Sequence, residues 1–220
     1  MKRITTQLSA AQKVSKQASE CVSAKQSNYL IKLGDSMNFA AGIPQDEQDK
    51  LLKRLHSTTI RKDEYFLRAG EVPQRIGFNV SGLMRLFYID PDGIEHIKHF
   101  CIENTAAISY SAFLLREESK LYIQAIEDTK LLTINYETYR EILDSHVCWQ
   151  TVARKFAELL YILKEKREYE FLMNSAQERY LQFLEDYPNI EERLNNYHIA
   201  SYLGITPESL SRIRTNLRKN

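Results

Sequence analysis

The sequence lacks the features of a membrane-spanning, secreted or disulfide-stabilised protein. No segment approaches the roughly 18 uninterrupted apolar residues of a membrane helix, and the polar N-terminus has no signal-peptide core. The cysteines Cys21, Cys101 and Cys148 are an odd number at wide, unrelated spacings. This cysteine usage argues against a disulfide framework or a zinc site and predicts a reducing, cytoplasmic environment, while the lack of a long apolar run predicts no membrane association.

Signatures of catalysis are also missing. The sequence contains no Walker loop, no Gly-x-Gly-x-x-Gly segment and no Ser/His/Asp or Cys/His set with a recognisable spacing. His96, His99 and Cys101 are close in sequence, but alternation along a strand directs only His99 and Cys101 to one side. Two donors are too few for a four-ligand site. We therefore expect no metal and no cofactor, and we do not predict an enzyme.

What the chain does have is an ordinary globular composition with an uneven charge. Its 220 residues are 43% hydrophobic and 27% charged, which suits one large or two modest domains. The net charge of +1 divides into +3 over residues 205–220, −6 over residues 37–204 and +4 over residues 1–36. A basic C-terminal segment that follows an acidic stretch is typical of a phosphate-binding module joined to a regulatory domain, although a chance cluster of this size is not rare.

The order of sequence patterns divides the chain into four parts. Residues 1–27 are rich in Ser, Gln, Ala and Lys and are predicted to be a flexible tail. Residues 28–145 start with helical patterns and continue as short β-rich runs between Gly and Asp-Gly turns, which predicts an antiparallel, jelly-roll-like β-roll. Residues 146–172 predict one long helix, and residues 173–220 predict a helix-turn-helix domain. The predicted fold class is therefore α+β.

The long helix has a heptad pattern of apolar residues. They follow steps of three and four, which is the spacing of a coiled-coil interface. These residues are Trp149, Val152, Phe156, Leu159 and Leu163. We expect this seam to join two copies of the chain in a parallel homodimer. The alternative is a helix that packs only on its own β-roll.

The end of the sequence predicts two helices joined by a tight turn. Ile199 and Leu203 lie on one apolar helix face, and Gly204 follows where a helix commonly ends with a residue at positive φ. Thr206 can cap the next helix with its hydroxyl group, and Pro207 suits the first helical position because its missing N–H costs nothing there.

The second of these helices has one apolar face and one polar face. Leu210, Ile213 and Leu217 are spaced for burial. On the opposite face, the Arg212 fork matches the O6 and N7 acceptors of guanine, and Glu208 can accept from the amino group of cytosine. The predicted DNA-binding residues are Thr206, Glu208, Ser209, Ser211, Arg212, Arg214, Arg218 and Lys219. The alternative is a solvated amphipathic helix that closes a small bundle.

This segment resembles the helix-turn-helix of the Crp/Fnr superfamily of bacterial transcription regulators. The family's Glu-x-x-Ser/Gly-Arg core after a Leu-Gly turn is matched by Glu208, Ser211 and Arg212. Some members have an Arg before the Glu, where this chain has Pro207. The run over residues 77–88, followed by an Asp-Gly turn, similarly resembles the cyclic-nucleotide-binding β-roll that precedes this motif in the family.

The resemblance implies a homodimeric regulator whose winged-helix-type helix-turn-helix reads a TTGA-like or GTGA-like pseudo-palindrome. The expected partners are double-stranded DNA, a second copy of the chain, RNA polymerase and an unidentified small-molecule effector. The alternative is an effector-binding or protein-interaction module with a vestigial helix-turn-helix.

The resemblance also argues against cyclic AMP as the effector. Members that bind cyclic nucleotides hold the ribose with a Glu and the phosphate with an Arg about ten residues later. Alignment on the strand over residues 125–134 places Ser109 and Ser119 at these two positions. The residues predicted to line an effector pocket are Ser109, Tyr110, Ser111, Arg116 and Tyr122. Alternatively, these side chains only fill the interior of the roll.

Overall fold

The computed structural model describes residues 43–219 of the chain. The predicted tail over residues 1–27 and the helical pattern over residues 28–37 lie outside the described residues. Within residues 43–219, a β-roll is followed by one long helix and a helical C-terminal module, which confirms the predicted α+β fold class.

The roll consists of two four-stranded antiparallel sheets. Its strands are β1 (His56–Ile60), β2 (Tyr65–Leu67), β3 (Arg75–Ser81), β4 (Met84–Ile89), β5 (Glu95–Cys101), β6 (Ala106–Ala107), β7 (Tyr122–Ala125) and β8 (Thr129–Asn135). One sheet has the order β1-β8-β3-β6 and the other has the order β2-β7-β4-β5. The connection between β3 and β4 requires Gly82, because its φ is +98° and a Cβ there would lie 2.5 Å from the carbonyl oxygen of Asp128.

Helices flank the roll and form the rest of the described chain. They are α1 (Gln45–Leu52), α2 (Tyr110–Leu115), α3 (Tyr136–Ser145), α4 (Val147–Met173), α5 (Ala176–Asp186), a 3₁₀ helix (Ile190–Arg193), α6 (Asn196–Leu203) and α7 (Pro207–Leu217). The long helix predicted over residues 146–172 is α4, and it begins and ends within one residue of the prediction. None of the helices within residues 43–219 combines the length and the apolar character needed to cross a bilayer.

Three clusters of buried apolar side chains form the core. One lies around Leu131 inside the roll, and a second lies around Phe113 between the roll and its flanking helices. The third joins the outer face of β4 and β5 to the C-terminal module, where Phe87 and Phe100 of the roll pack with Phe183 and other module residues. The C-terminal module, residues 176–219, is therefore docked on the roll through a continuous apolar core.

Polar contacts reinforce this docking. The Arg193 guanidinium bonds to both oxygens of Glu103 at 2.9 and 3.1 Å and to both oxygens of Glu127 at 2.7 and 2.9 Å. The Ser201 hydroxyl of α6 donates to the Glu95 carbonyl at 2.6 Å. These bonds tie the 3₁₀ helix and α6 to β5, to the turn after β5 and to the turn between β7 and β8, so they fix the orientation of α6 and α7 relative to the roll.

Candidate nucleic-acid interface

α6 and α7 form the predicted helix-turn-helix. α6 ends at Gly204, where φ is +68° and a Cβ would lie 2.7 Å from the Phe171 ring. Glycine is therefore favoured by backbone conformation and by lack of space. Thr206 caps α7 by accepting from the Ser209 N–H at 3.2 Å, and Pro207 holds the first helical position. The local predictions for this turn are confirmed.

The apolar face of α7 anchors the helix in the third cluster. Leu210 is 0% exposed, and Ile213 and Leu217 pack partly buried against the same cluster. The spacing of these three residues predicts this burial, and the structure confirms it. Because this face is fixed in the core, the rest of the α7 surface has a defined orientation relative to the module.

The opposite face of α7 is turned to solvent. Most of the predicted DNA-binding residues lie there with exposed side chains: Glu208, Ser211, Arg212, Arg218 and Lys219. Thr206 is exposed at the N-cap, and Ser209 is half-buried beside it. The backbone N–H of Glu208 and the Thr206 hydroxyl hold the pKa of the Glu208 carboxyl below its usual range. Glu208 is therefore ionised at neutral pH and can act as a hydrogen-bond acceptor.

Arg214 is placed differently from the other predicted DNA-binding residues. Its guanidinium donates to Tyr180 Oη of α5 at 3.0 Å, to Asn196 Oδ1 of α6 at 2.6 Å and to Glu191 Oε1 of the 3₁₀ helix at 2.5 Å. Its side chain is 23% exposed. Arg214 therefore points into its own module and away from the solvent-facing side of α7, unlike the other predicted DNA-binding residues.

The first half of the predicted dimer seam packs within its own chain. Trp149 is buried, and its Nε1 donates to the Glu47 carboxylate of α1 at 2.7 Å. Val152 and Phe156 pack against the same roll cluster, and the Phe156 ring meets Tyr110 edge-on at 5.3 Å. These three side chains therefore have partners in the roll of the same chain, while Val152 and Phe156 keep part of their surface accessible. The dimer seam stays a prediction, as does the alternative in which the helix packs only on its own roll.

The second half of α4 leaves apolar side chains in solvent. Leu159 is half-buried, and Leu163 is exposed. A neighbouring stripe is more open, with Ile162 59% exposed and Tyr169 62% exposed, and Met173 continues it toward the end of the helix. Leu159, Ile162, Tyr169 and Met173 have heptad spacing, although Lys166 lies between them. This stripe shares Leu159 with the predicted seam, and its other positions lie on a neighbouring face of the helix.

The two serines that stand at the expected ligand-binding positions lie side by side. The hydroxyl oxygens of Ser109 and Ser119 are 2.9 Å apart, and both residues are buried. Ser119 also accepts from the Leu121 N–H at 3.0 Å. This pair supplies no charge, so it offers neither a carboxylate for a ribose nor a guanidinium for a phosphate.

A cavity of about 350 Å³ lies beside Ser109. Its lining residues are Phe66, Leu67, Glu71, Val72, Pro73, Gln74, Arg75, Ile108, Ser109 and Ile123. Arg116 reaches this lining indirectly, because its guanidinium donates to the Pro73 carbonyl at 2.8 Å and to Gln74 Oε1 at 2.9 Å. The cavity is thus lined mainly by apolar groups, with Arg75 and Glu71 as its charged side chains.

The other predicted pocket residues lie elsewhere. Tyr110 packs on Phe156 of α4, and the Ser111 side chain is exposed at the start of α2. Tyr122 stacks on Phe87 at 5.2 Å and contacts the third cluster. Tyr122 lies outside this cavity because side chains alternate along β7: Ile123 enters the roll, and Tyr122 faces the C-terminal module.

The histidines and the cysteine of β5 do not converge. Cys101 is buried inside the roll, whereas His99 Nδ1 lies 2.8 Å from Tyr187 Oη of the C-terminal module. His96 Nε2 lies 2.7 Å from an Asp90 oxygen in the neighbouring turn. Burial lowers the pKa of His99 to about 4, so its ring is neutral at pH 7. Among residues 43–219, no three His, Cys, Asp or Glu side chains group in a way that could hold a metal ion.

Comparison with known proteins identifies the fold. Residues 57–146 match the family model of the cyclic nucleotide-binding domain. FixK2 from Bradyrhizobium japonicum has a similar structure, with a TM-score of 0.64, 20% identity and coverage of 75% of this chain and 85% of that one. A CooA mutant from Carboxydothermus hydrogenoformans gives a TM-score of 0.62, with 18% identity and coverage of 77% and 79%.

A third similar structure is the catabolite activator protein of Thermus thermophilus, with a TM-score of 0.52, 19% identity and coverage of 81% of this chain and 85% of that one. Comparison with curated proteins gave no match. At these identities the likeness establishes the fold. The chain thus has a cyclic nucleotide-binding-type β-roll and the architecture of Crp/Fnr regulators, and the resemblance stated from the sequence is confirmed at that level.

Proposed function

We propose that the protein is a cytoplasmic, homodimeric transcription regulator that binds a specific DNA sequence. The observation that carries the proposal is the division of α7 into two faces. Leu210 is 0% exposed in the core, while Glu208, Ser211 and Arg212 stand together in solvent. An acceptor and a forked donor side by side match the donors and acceptors on base edges in the major groove. Contact with water alone gives no reason for this combination.

The proposed roles follow from the chemistry of each side chain. Arg212 donates through its fork to O6 and N7 of a guanine, and Glu208 accepts from the amino group of a cytosine on the other strand. Both lie in the N-terminal half of α7, the part of a recognition helix that reads bases. Arg218 and Lys219 at its C-terminal end bind phosphates, which sets affinity without selecting a sequence.

Dimerisation is proposed to use the second half of α4. The exposed stripe around Ile162 and Tyr169 supports this choice, since Trp149 is buried and Val152 and Phe156 are partly buried against their own roll. Lys166 lies within the stripe, and its ammonium group is held 2.7 and 2.9 Å from the Asp186 oxygens of the same chain. A two-fold axis along this stripe gives two copies of α7, which read half-sites about 10 bp apart.

The effector is proposed to be a small molecule other than cyclic AMP. The buried hydroxyl pair of Ser109 and Ser119 supports this view, because these two positions supply neither the carboxylate nor the guanidinium that the resemblance leads one to expect for a cyclic nucleotide. The cavity beside Ser109, whose mainly apolar lining includes Glu71 and Arg75, is the proposed effector site.

Selection of DNA fragments that bind the purified full-length protein, at a fixed salt concentration, tests this proposal. We expect enrichment of a pseudo-palindrome with a TTGA-like or GTGA-like half-site. Arg212→Ala is expected to cost about 1–3 kcal/mol per half-site and to relax the preference at one guanine. Lys219→Ala is the matched control, since it should weaken binding to all sequences alike. Absence of enrichment, or an equal loss on specific and random DNA for Arg212→Ala, would contradict the proposed function.

A further inference from the structure

Arg214 joins four elements of the C-terminal module at one point. It belongs to α7, and its three hydrogen-bond partners belong to α5, the 3₁₀ helix and α6. Two of these partners also bond to each other, because Tyr180 Oη donates to Glu191 Oε1 at 2.7 Å. The guanidinium therefore closes a small network in which the acceptors are fixed by one another as well as by Arg214.

The network fixes the side of α7 that Arg214 occupies. Successive residues of an α-helix are rotated by about 100°, so residues two apart point about 200° away from each other. Arg212 is exposed, and Arg214 is turned inward with 23% of its side chain accessible. To reach a phosphate, Arg214 would have to abandon a carboxylate, an amide oxygen and a phenol oxygen, and it would leave Glu191 without its cationic partner.

Arginine is well suited to this position because its donors are arranged as a rigid planar fork. The Nε, Nη1 and Nη2 atoms each serve a different acceptor here. A lysine ammonium has three donors on one atom and cannot span the same three acceptors. The contacts thus use the geometry of the guanidinium as well as its charge.

We infer that Arg214 is a positioning residue for sequence recognition: it holds α7 at the angle at which Glu208 and Arg212 meet the bases, and it does not contact DNA itself. The inference rests on the proposed function and deepens it. Base readout depends on the orientation of side chains, whereas phosphate attraction depends mainly on charge. Loosening the network is therefore expected to reduce specific binding and to leave random binding nearly unchanged.

The test measures DNA binding of full-length variants over a series of salt concentrations. Each variant is titrated with the fragment selected by the wild-type protein and with a random duplex of equal length. Arg214→Gln removes the guanidinium from the network, and Glu191→Gln removes the carboxylate that accepts from it. Arg218→Gln is the matched control, because Arg218 is exposed on the same helix one turn later.

We expect Arg214→Gln to lower affinity for the selected fragment about tenfold, as loss of about 1.4 kcal/mol would. The slope of log K against log salt should not change for this variant. Glu191→Gln should give a similar loss, and the double variant should be no worse than either single one, because both disrupt the same network. Arg218→Gln should weaken both duplexes and flatten the slope by about one unit for each phosphate that the side chain no longer neutralises.

Opposite results would overturn the assignment. If Arg214 contacts phosphate, Arg214→Gln will flatten the salt slope, and Arg214→Lys will restore it. In that case Glu191→Gln will release the guanidinium and strengthen binding to random DNA. If Arg214→Gln loses affinity only for the selected fragment and Arg214→Lys does not restore that affinity, the result supports a positioning role for Arg214. Circular dichroism and stoichiometric titration measure the fraction of each variant that is folded and active. If Arg214→Gln does not fold, Glu191→Gln and Arg214→Lys are compared with the wild-type protein on the selected and random duplexes instead.

The design separates this inference from the proposed function. If the wild-type protein binds selected and random DNA equally, the proposed function is wrong and a positioning role in recognition fails with it. If the wild-type protein discriminates and Arg212→Ala abolishes the discrimination, the function stands. A flattened salt slope in Arg214→Gln then overturns only the role assigned to Arg214.

Discussion

Stability of the docked arrangement should depend on the protonation of His99. This histidine lies at the boundary between the roll and the C-terminal module, with Nδ1 2.8 Å from Tyr187 Oη. Its pKa is lowered to about 4, first by burial and then by the positive charges of Lys98 and Arg167, against which Asp186 acts in the opposite sense. The folded protein thus holds a neutral ring at a pH where the unfolded chain, with an ordinary pKa of about 6.5, takes up a proton.

The sign of the effect follows from proton uptake. Because the pKa of His99 is lower in the folded state, the unfolded state binds more protons between about pH 6.5 and pH 4. The contribution of neutral His99 to stability is complete above pH 6.5 and is lost as the pH falls toward 4. One pKa unit corresponds to about 1.4 kcal/mol, so lowering the pKa from 6.5 to about 4 limits the loss to about 3.5 kcal/mol, and the partial exposure of the residue reduces it further.

Urea unfolding of wild-type protein and of His99→Gln at several pH values measures the contribution of neutral His99 to the free energy of unfolding. The glutamine can still bond to Tyr187 but does not titrate, so the difference between the two proteins isolates His99 from the carboxyl groups. We expect the wild-type free energy of unfolding to fall more steeply between pH 6.5 and 4.5. Parallel curves for the two proteins would refute a neutral His99 in the folded state.

Three further predictions concern other contacts. Arg193→Gln removes the bonds to Glu103 and Glu127 and should lower the free energy of unfolding by about 1–2 kcal/mol, measured by urea denaturation. Ile162→Glu should give a folded monomer in analytical ultracentrifugation, whereas Phe156→Glu should destabilise the roll itself; a dimeric Ile162→Glu protein would exclude the proposed seam. Calorimetric titration with cyclic AMP or cyclic GMP should show no micromolar binding, and such binding would disprove the interpretation of the paired serine hydroxyls.

Features set by neighbouring residues were predictable from the sequence. The end of α6 at Gly204 and the cap of α7 at Thr206 depend on positive φ and on a bond to an N–H three residues later. The burial of Leu210 follows from helical spacing in the same way. These features involve short stretches of chain, so composition and spacing determine them almost completely.

Features set by distant residues were not predictable in this way. Glu47 accepts from Trp149, which is 102 positions later in the sequence, and this contact joins the start of α4 to α1 of the same chain. Glu191 is 23 positions before Arg214, and their pairing removes Arg214 from the solvent face of α7. A heptad pattern predicts an apolar stripe on a helix, but it does not determine whether the stripe packs within the same chain or against a second copy.

The position of β7 limits how an occupant of the cavity can influence the helix-turn-helix. Ile123 lines the cavity, and Tyr122 on the opposite face of the same strand stacks on Phe87 within the apolar core shared with the module. Interiors at native packing density cannot absorb a displaced side chain without moving its neighbours. An occupant that displaces Ile123 must therefore repack either the roll interior or the contact between Tyr122 and Phe87. The second response reaches the core shared with α6 and α7. β2 offers a similar connection, because Phe66 and Leu67 line the cavity while Tyr65 of the same strand packs against the shared core.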